Sequence, residues 1–265
     1  MMLKRFALLL FALWTGCARV PDVSPSGSIQ KPMNFDHSRW AKVLQTVVDE
    51  NGLVDYARLQ KHPAVLNAYL QTLAQNDPDR LPEQERLAYW INAYNAYTLK
   101  LIIENYPVRS ILRITPLPIS GFSSAWDLTS VTIGGKKYTL AQLEHDIIRQ
   151  EFKEPRIHFA LVCAAQSCPK LRREPYSGMQ LDEQLQEQAV DFLTDQRKNQ
   201  LASDQGTIAL SRIFEWFKAD FEQNGQSVQA YLAQFFPYED ALRTKLSRNE
   251  FRVRYVPYHW GLNQR

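Results

Sequence analysis

The chain of 265 residues predicts an α+β fold, a mostly helical single domain around a small antiparallel or mixed sheet. Three observations carry this. Apolar residues recur every three to four positions through most of the chain. Strict alternation is confined to two stretches, residues 131–140 and 251–256. The strands therefore come as one hairpin and scattered pieces, and not as regular βα units.

In chain order, a first helix is expected from Asp36 or Ser38 through Trp40, Val43, Leu44 and Val47, with Asn51-Gly52 as its stop. Val54-Asp55-Tyr56 reads as a short extended piece, and Leu59 to Leu73 as a helix interrupted early by Pro63. The strongest helix starts near Pro82-Glu83 and ends at Tyr106-Pro107, with a stripe of Leu87, Trp90, Ile91, Tyr94, Thr98, Leu99 and Ile102. Asn95 lies on that stripe and Asn92 beside it. Buried amides must find partners, so both are expected first as braces for a neighbouring loop.

A loop follows through Pro116 and Pro118. Residues 131–140 then alternate about Gly134-Gly135, a hairpin signal. Thr139 is the expected cap of a helix through Leu140, Leu143, Ile147 and Ile148, which carries Glu144, His145 and Arg149. Later come a helix from Asp182 through Phe192, a strand at residues 207–210, short helices at 213–217 and 228–235, and a late strand at 251–256.

Between these lies Arg156-Ile157-His158-Phe159-Ala160-Leu161-Val162-Cys163-Ala164-Ala165-Gln166-Ser167-Cys168-Pro169. The apolar run is expected as a buried strand that gives out near Cys163, where turn residues begin. An imidazole within reach of a thiol can generate the thiolate, the nucleophilic form, so the segment offers a Cys/His site. His158 and Cys163 have opposite parity, so on a strand they meet only past its end or a bulge. Cys163 and Cys168 could also close a small disulfide loop or serve as core residues; the expectation is that they are unpaired in an active form. The nearby Lys170, Arg172 and Arg173 read as a solvated loop.

The amino terminus has the pattern of a signal peptide. Lys4 and Arg5 precede the apolar run Phe6 to Trp14, too short to span a bilayer, and Thr15-Gly16-Cys17 follows. This ending resembles the lipobox of bacterial lipoproteins, with Trp14 in the usual place of leucine. The resemblance implies cleavage after residue 16 and a lipid on Cys17. Residues 17–34, rich in Pro, Ser and Gly, read as a flexible tether, and residues 35–265 as the single globular domain. The expected location is the periplasmic face of the bacterial cell envelope, and Ala18 suits the outer membrane in the usual lipoprotein sorting pattern. The net charge is +3, but Lys4 and Arg5 leave with the leader, so 29 basic residues face 28 acidic ones. That balance gives no reason to expect nucleic acid as a partner.

Four segments together resemble the bacterial and plant domain-of-unknown-function family 547. They are Tyr89-Trp90-Ile91-Asn92-Ala93-Tyr94-Asn95-Ala96, Leu143-Glu144-His145-Asp146-Ile147-Ile148-Arg149, the Arg156 to Pro169 stretch, and the closing Pro257-Tyr258-His259-Trp260-Gly261-Leu262-Asn263, where His259 replaces an expected aspartate. The resemblance implies a cysteine-hydrolase-like site of Glu144, His158 and Cys163. His158 would take the thiol proton, Glu144 would orient the imidazole, and Cys163 would attack the carbonyl of an amide or ester, giving hydrolysis or acyl transfer on an envelope peptide or protein. Amides of the Ala164 to Cys168 turn would hold the oxyanion, assisted by Ser167, Asn92 or Asn95. Cys168 is the alternative nucleophile and His145 the alternative base.

An asparagine-bearing helix against a sheet also resembles papain-like and transglutaminase-like cores, although there the helix supplies the cysteine. The competing class is a non-enzymatic envelope-associated binding module, in which the Cys/His cluster is structural and the cleft holds a peptide, glycan or protein partner. A metal site using His145, His158, Glu144 and a cysteine is the weakest reading. No metal or cofactor motif supports it, so neither is expected.

Overall fold

A computed structural model of the protein describes residues 34–114, 124–201 and 206–265. The leader, Cys17, most of the tether and the loop around Pro116 and Pro118 lie outside the described residues. Among the described residues no helix is long and apolar enough to cross a membrane.

The domain is mostly helical. Helix α1 (Ser38–Val47) buries Trp40, Val43, Leu44 and Val47 along one stripe. The expected helix from Leu59 is two helices, α2 (Tyr56–Lys61) and α3 (Ala64–Gln75), and Pro63 is the break between them. Helix α4 (Glu83–Asn105) is the central packing element, and seventeen of its residues are buried. It starts after Pro82 and ends before Tyr106-Pro107, as the punctuation predicts.

A short helix α5 (Ala125–Leu128) leads into the antiparallel hairpin β1 (Val131–Ile133) and β2 (Lys136–Tyr138). Gly134 and Gly135 both have positive φ, which the tight turn requires, and their N–H groups donate to Leu73 and Ala74 at the end of α3. Thr139 then caps α6 (Leu140–Gln142) in a reciprocal capping box with Gln142. The helix widens into a π-helical segment (Leu143–Ile148) and returns to α geometry as α7 (Arg149–Phe152).

The expected strand before Cys163 is not formed. Residues Pro155–Phe159 make a 3₁₀ helix, opened by Pro155 at its first turn and by the Glu154 carboxylate, which accepts the Arg156 N–H. A short apolar run looks the same in sequence whether it is buried as strand or as helix, and here the proline and its capping acid decide. The remaining elements are α8 (Leu181–Thr194), β3 (Thr207–Leu210), α9 (Ile213–Trp216), α10 (Lys218–Phe221), α11 (Val228–Ala233), α12 (Asp240–Ser247) and β4 (Arg252–Tyr255). Strands β3 and β4 pair in parallel, Thr207 opposite Arg252.

The described strands thus form two separate two-stranded pairs. The likeness to papain-like cores stops at the asparagine-bearing helix, because no wider sheet lies against it among the described residues. The apolar interior has two parts, one built around α4 and the other around Phe159, Phe192, Phe214 and Phe221. The Ile157 to Val162 segment runs along their seam: Ile157, Leu161 and Val162 pack into the first part, Phe159 into the second.

Candidate functional site

At that seam opens a cleft of about 330 Å³. Glu144, His158, Cys163 and Cys168 all line it, as do His145 and an aromatic wall that includes Tyr94, Trp126, Trp216, Tyr258 and Trp260. The parity objection lapses because no strand is present. The three residues expected as a site therefore share one cavity.

Their bonding differs from the expected triad. Cys163 and Cys168 are joined by a disulfide, which corrects the expectation of free thiols and leaves neither sulfur nucleophilic in this state. His158 Nε2–H donates to Asp220 Oδ2 at 2.7 Å, and not to Glu144. Asp220 sits on α10 and is clamped from the other side by Arg149, whose Nε and Nη2 reach its two oxygens at 2.6 and 2.9 Å. The His158 ring stacks on Phe217 with centroids 4.0 Å apart. Because its Nε2 hydrogen goes to an acceptor-only carboxylate, a neutral His158 keeps its lone pair on Nδ1.

Burial lowers the His158 pKa, opposed by the Asp220 bond and the Glu144 charge. Burial alone would raise the pKa of Asp220, but the His158 and Arg149 bonds and charges hold its carboxyl well below the usual carboxylate range. Glu144 instead accepts the Tyr94 hydroxyl at 2.9 Å, and that hydroxyl accepts the Trp126 indole N–H at 3.0 Å. Glu144 acts on His158 through its charge and not through a hydrogen bond. The π-helical segment explains how Glu144 and Arg149 serve one site. Residues five apart fall on different faces of a regular α-helix, whereas i→i+5 bonding brings them nearly into line, and the Arg149 N–H donates to the Glu144 carbonyl.

Asn95 and Asn92 do not line the cleft. Asn95 donates from Nδ2 to the Ala160 carbonyl at 3.0 Å and accepts the Val162 N–H at Oδ1 at 2.9 Å, which fastens the segment leading to Cys163. Asn92 does the same for Tyr176, at 2.8 and 3.0 Å. Both are braces, as the satisfied-amide reading expects. Ser167 is also drawn away from a catalytic role: its Oγ accepts the His259 N–H at 2.9 Å and its own N–H donates to the His259 carbonyl.

In the turn expected to hold an oxyanion, Ala164 to Cys168, three of the five N–H groups are engaged elsewhere. The N–H groups of Gln166, Ser167 and Cys168 donate to Gly261, His259 and Ala165 carbonyls, and that of Cys163 to Cys168 Sγ. Ala164 has φ 58, a left-handed conformation that costs a non-glycine residue about 1–2 kcal/mol, and the Asn263 N–H holds its carbonyl. His145 is exposed and its Nδ1 accepts from Arg149 Nη1 at 2.9 Å, so it is not arranged as a base toward sulfur. Among the described residues no group of three or more metal-ligating side chains converges. Lys170 and Arg172 are paired with Asp191 and Glu187, but the Arg172 side chain is only 13 % exposed, with its guanidinium over the Tyr176 ring, which corrects the expectation of a solvated loop at that residue.

Tyr94, Asn95, Glu144, Arg149, His158 and both sulfurs come from one continuous part of the chain. Residues 78–193 match the family described as protein of unknown function, DUF547. No curated protein and no solved structure matches the chain. The DUF547 stretch ends before Asp220, Trp216, Tyr258 and Trp260, so the residue that holds His158 and much of the aromatic wall come from later chain. Sequence reasoning missed Asp220, a single acid on a four-residue helix with no motif around it. Tyr258 and Trp260 stood in the closing segment but read there only as part of a motif.

Proposed function

We propose that the cleft is the ligand-binding site of an envelope-associated binding module, held at the membrane through a lipid on Cys17. The observation that carries this reading is the disulfide: it occupies both sulfurs, while the cavity beside it stays open and aromatic-walled. The volume suits a small molecule or one or two side chains of a peptide. Glu144 and Asp127 line the cleft and, among the described residues, no lysine or arginine does, so the walls favour a ring-bearing or apolar group with a cationic substituent, such as a lysine side chain of an envelope peptide.

Tryptophan fluorescence tests this. Titration of the oxidised protein with two peptides differing only as lysine or glutamate at one position should show saturation with the lysine peptide. Its affinity should fall roughly tenfold in Glu144→Gln, the weight of one charge contact. Equal response to both peptides, or none, would end the reading.

A second reading, thiol hydrolase or acyl transferase, is favoured by the meeting of Glu144, His158 and Cys163 in one cleft. It requires the reduced protein, in which His158 Nδ1 would serve as the base. Labelling by a thiol-reactive acyl probe that appears only after reduction and vanishes in Cys163→Ala would support it.

A further inference from the structure

The two sulfurs are not equivalent. Both cysteines line the cleft, but Cys163 is only partly buried whereas Cys168 is 2 % exposed. The Cys163 N–H reaches the buried one, Cys168 Sγ, at 3.1 Å, and the Tyr258 hydroxyl also lies within reach of it, at 3.3 Å. The same hydroxyl lies 3.2 Å from Cys163 Sγ. Disulfide sulfurs carry no hydrogen, so the single Tyr258 O–H is the donor shared between the two sulfurs, and the Cys163 N–H is the donor particular to Cys168. A hydrogen bond to a disulfide sulfur is weak, but one to a thiolate is strong, so donors placed there stabilise the sulfur only once the bond breaks. The accessible sulfur is the one an incoming thiolate can attack, and the buried one is the leaving group whose charge the site is built to receive.

We infer that the Cys163–Cys168 disulfide is a thiol–disulfide exchange site, with Cys163 the attacked sulfur, Cys168 the leaving sulfur, and a small neutral or cationic thiol the co-reactant. The thiol loses its proton to solvent, and its thiolate attacks Cys163 Sγ. A new S–S bond forms there as the Cys163–Cys168 bond breaks, and the electron pair departs on Cys168, which the Cys163 N–H and Tyr258 O–H stabilise until it is protonated. A second thiolate attacks the sulfur of the bound thiol, releasing the small disulfide and leaving Cys163 as thiolate. Two thiols are thereby oxidised and the protein disulfide is reduced. The carboxylate of Glu144 in the cleft disfavours an anionic thiol. This activity is independent of the ligand-binding reading, which concerns the walls and not the sulfurs.

The test uses the folded, oxidised protein without denaturant. Cysteamine and mercaptoacetate are applied separately, the reaction is quenched with acid, and adducts are located by mass spectrometry. Each rate is divided by that thiol's rate with a small free disulfide. The expected result is native-state reaction, first adduct on Cys163, cysteamine faster than mercaptoacetate after normalisation, and Tyr258→Phe slower by roughly tenfold or more. A disulfide that reacts only in urea, a first adduct on Cys168, mercaptoacetate as the faster thiol, or Tyr258→Phe reacting at the wild-type rate would overturn the inference.

Should Tyr258→Phe fail to fold, variants that keep only one of Cys163 and Cys168 decide, with the modified residue located by mass spectrometry. With cystamine, Cys168→Ser should form the mixed disulfide at Cys163 in the folded state, and Cys163→Ser should stay unmodified until unfolded. The reverse pattern, or equal modification of both, would overturn the assignment.

Discussion

Replacing Asn95 with alanine tests whether the cysteine segment is held from the central helix. The side chain is 1 % exposed and makes two bonds to backbone, 3.0 Å to the Ala160 carbonyl and 2.9 Å from the Val162 N–H. Both backbone groups lose their partner in Asn95→Ala. An orphaned buried group costs about 1–3 kcal/mol, so the pair is expected to cost about 3–4 kcal/mol. For a domain of this size that corresponds to a fall in Tm of about 10 °C. Urea unfolding supplies the measurement. Asn105→Ala is the control, because Asn105 bonds only the Leu101 carbonyl of its own helix at a part-buried site and should cost about 1 kcal/mol or less. Asn95→Asp should keep the acceptor for Val162 but set a carboxylate against the Ala160 carbonyl, and so should recover stability as the pH is lowered. A loss in Asn95→Ala no larger than that in Asn105→Ala would refute the bracing argument.

Two further outcomes follow from other parts of the chain. Burial holds the pKa of His37 down at about 4 from 6.5, and its neighbours are Tyr69, Asn92, Glu85 and, through charge, Asp36. Below about pH 6.5 the unfolded chain binds a proton here that the folded one does not, so this residue's contribution to stability falls as the pH drops toward 4, by about 2 kcal/mol between roughly pH 7 and pH 5. Urea midpoints of wild type and His37→Phe should therefore converge on acidification, and parallel curves would contradict the assignment. For the amino terminus, Cys17→Ser is expected to move the protein from the membrane to the soluble fraction, and identical fractionation of both forms would remove the lipid from the account.

Much of the frame was legible because its signals are redundant. In α4 a long apolar stripe, Pro82 at the start and Pro107 just past the end all say the same thing. The Gly134-Gly135 hairpin and the Thr139 cap are equally local, and so were read correctly. The strand expected before Cys163 failed where only one weak signal existed: residues 157–162 are buried, and burial alone does not distinguish strand from helix. Pro155 and Glu154 carried the missing information, one fixing φ and the other capping the turn.

In the site, the meeting of Glu144, His158 and Cys163 was anticipated through the resemblance, but their bonds were not. The acid on His158 lies 62 positions away on a four-residue helix, and an aspartate there reads as solvated surface. The π-widening that turns Arg149 toward it has no sequence signature in the α-helical period. Cysteines five apart can be paired or free, and spacing alone left that open. Aromatic residues such as Trp216 and Trp260 default to core packing in any reading by pattern, although here they stand at a cavity.

The split origin of the cleft has a consequence for variation. Its floor, with both sulfurs, His158 and Glu144, belongs to the DUF547 stretch, while Trp216, Tyr258 and Trp260 belong to segments beyond it. The later segments are tied on by backbone bonds, such as Gln166 to Gly261 and Asn263 to Ala164, which do not depend on the identity of the wall side chains. Exchange of Trp216 or Trp260 therefore leaves that fastening in place, whereas Tyr258 is also bonded through its hydroxyl to both sulfurs of the floor. Two chains alike over residues 78–193 can therefore present clefts with different walls, because Trp216, Tyr258 and Trp260 are inherited from outside that stretch.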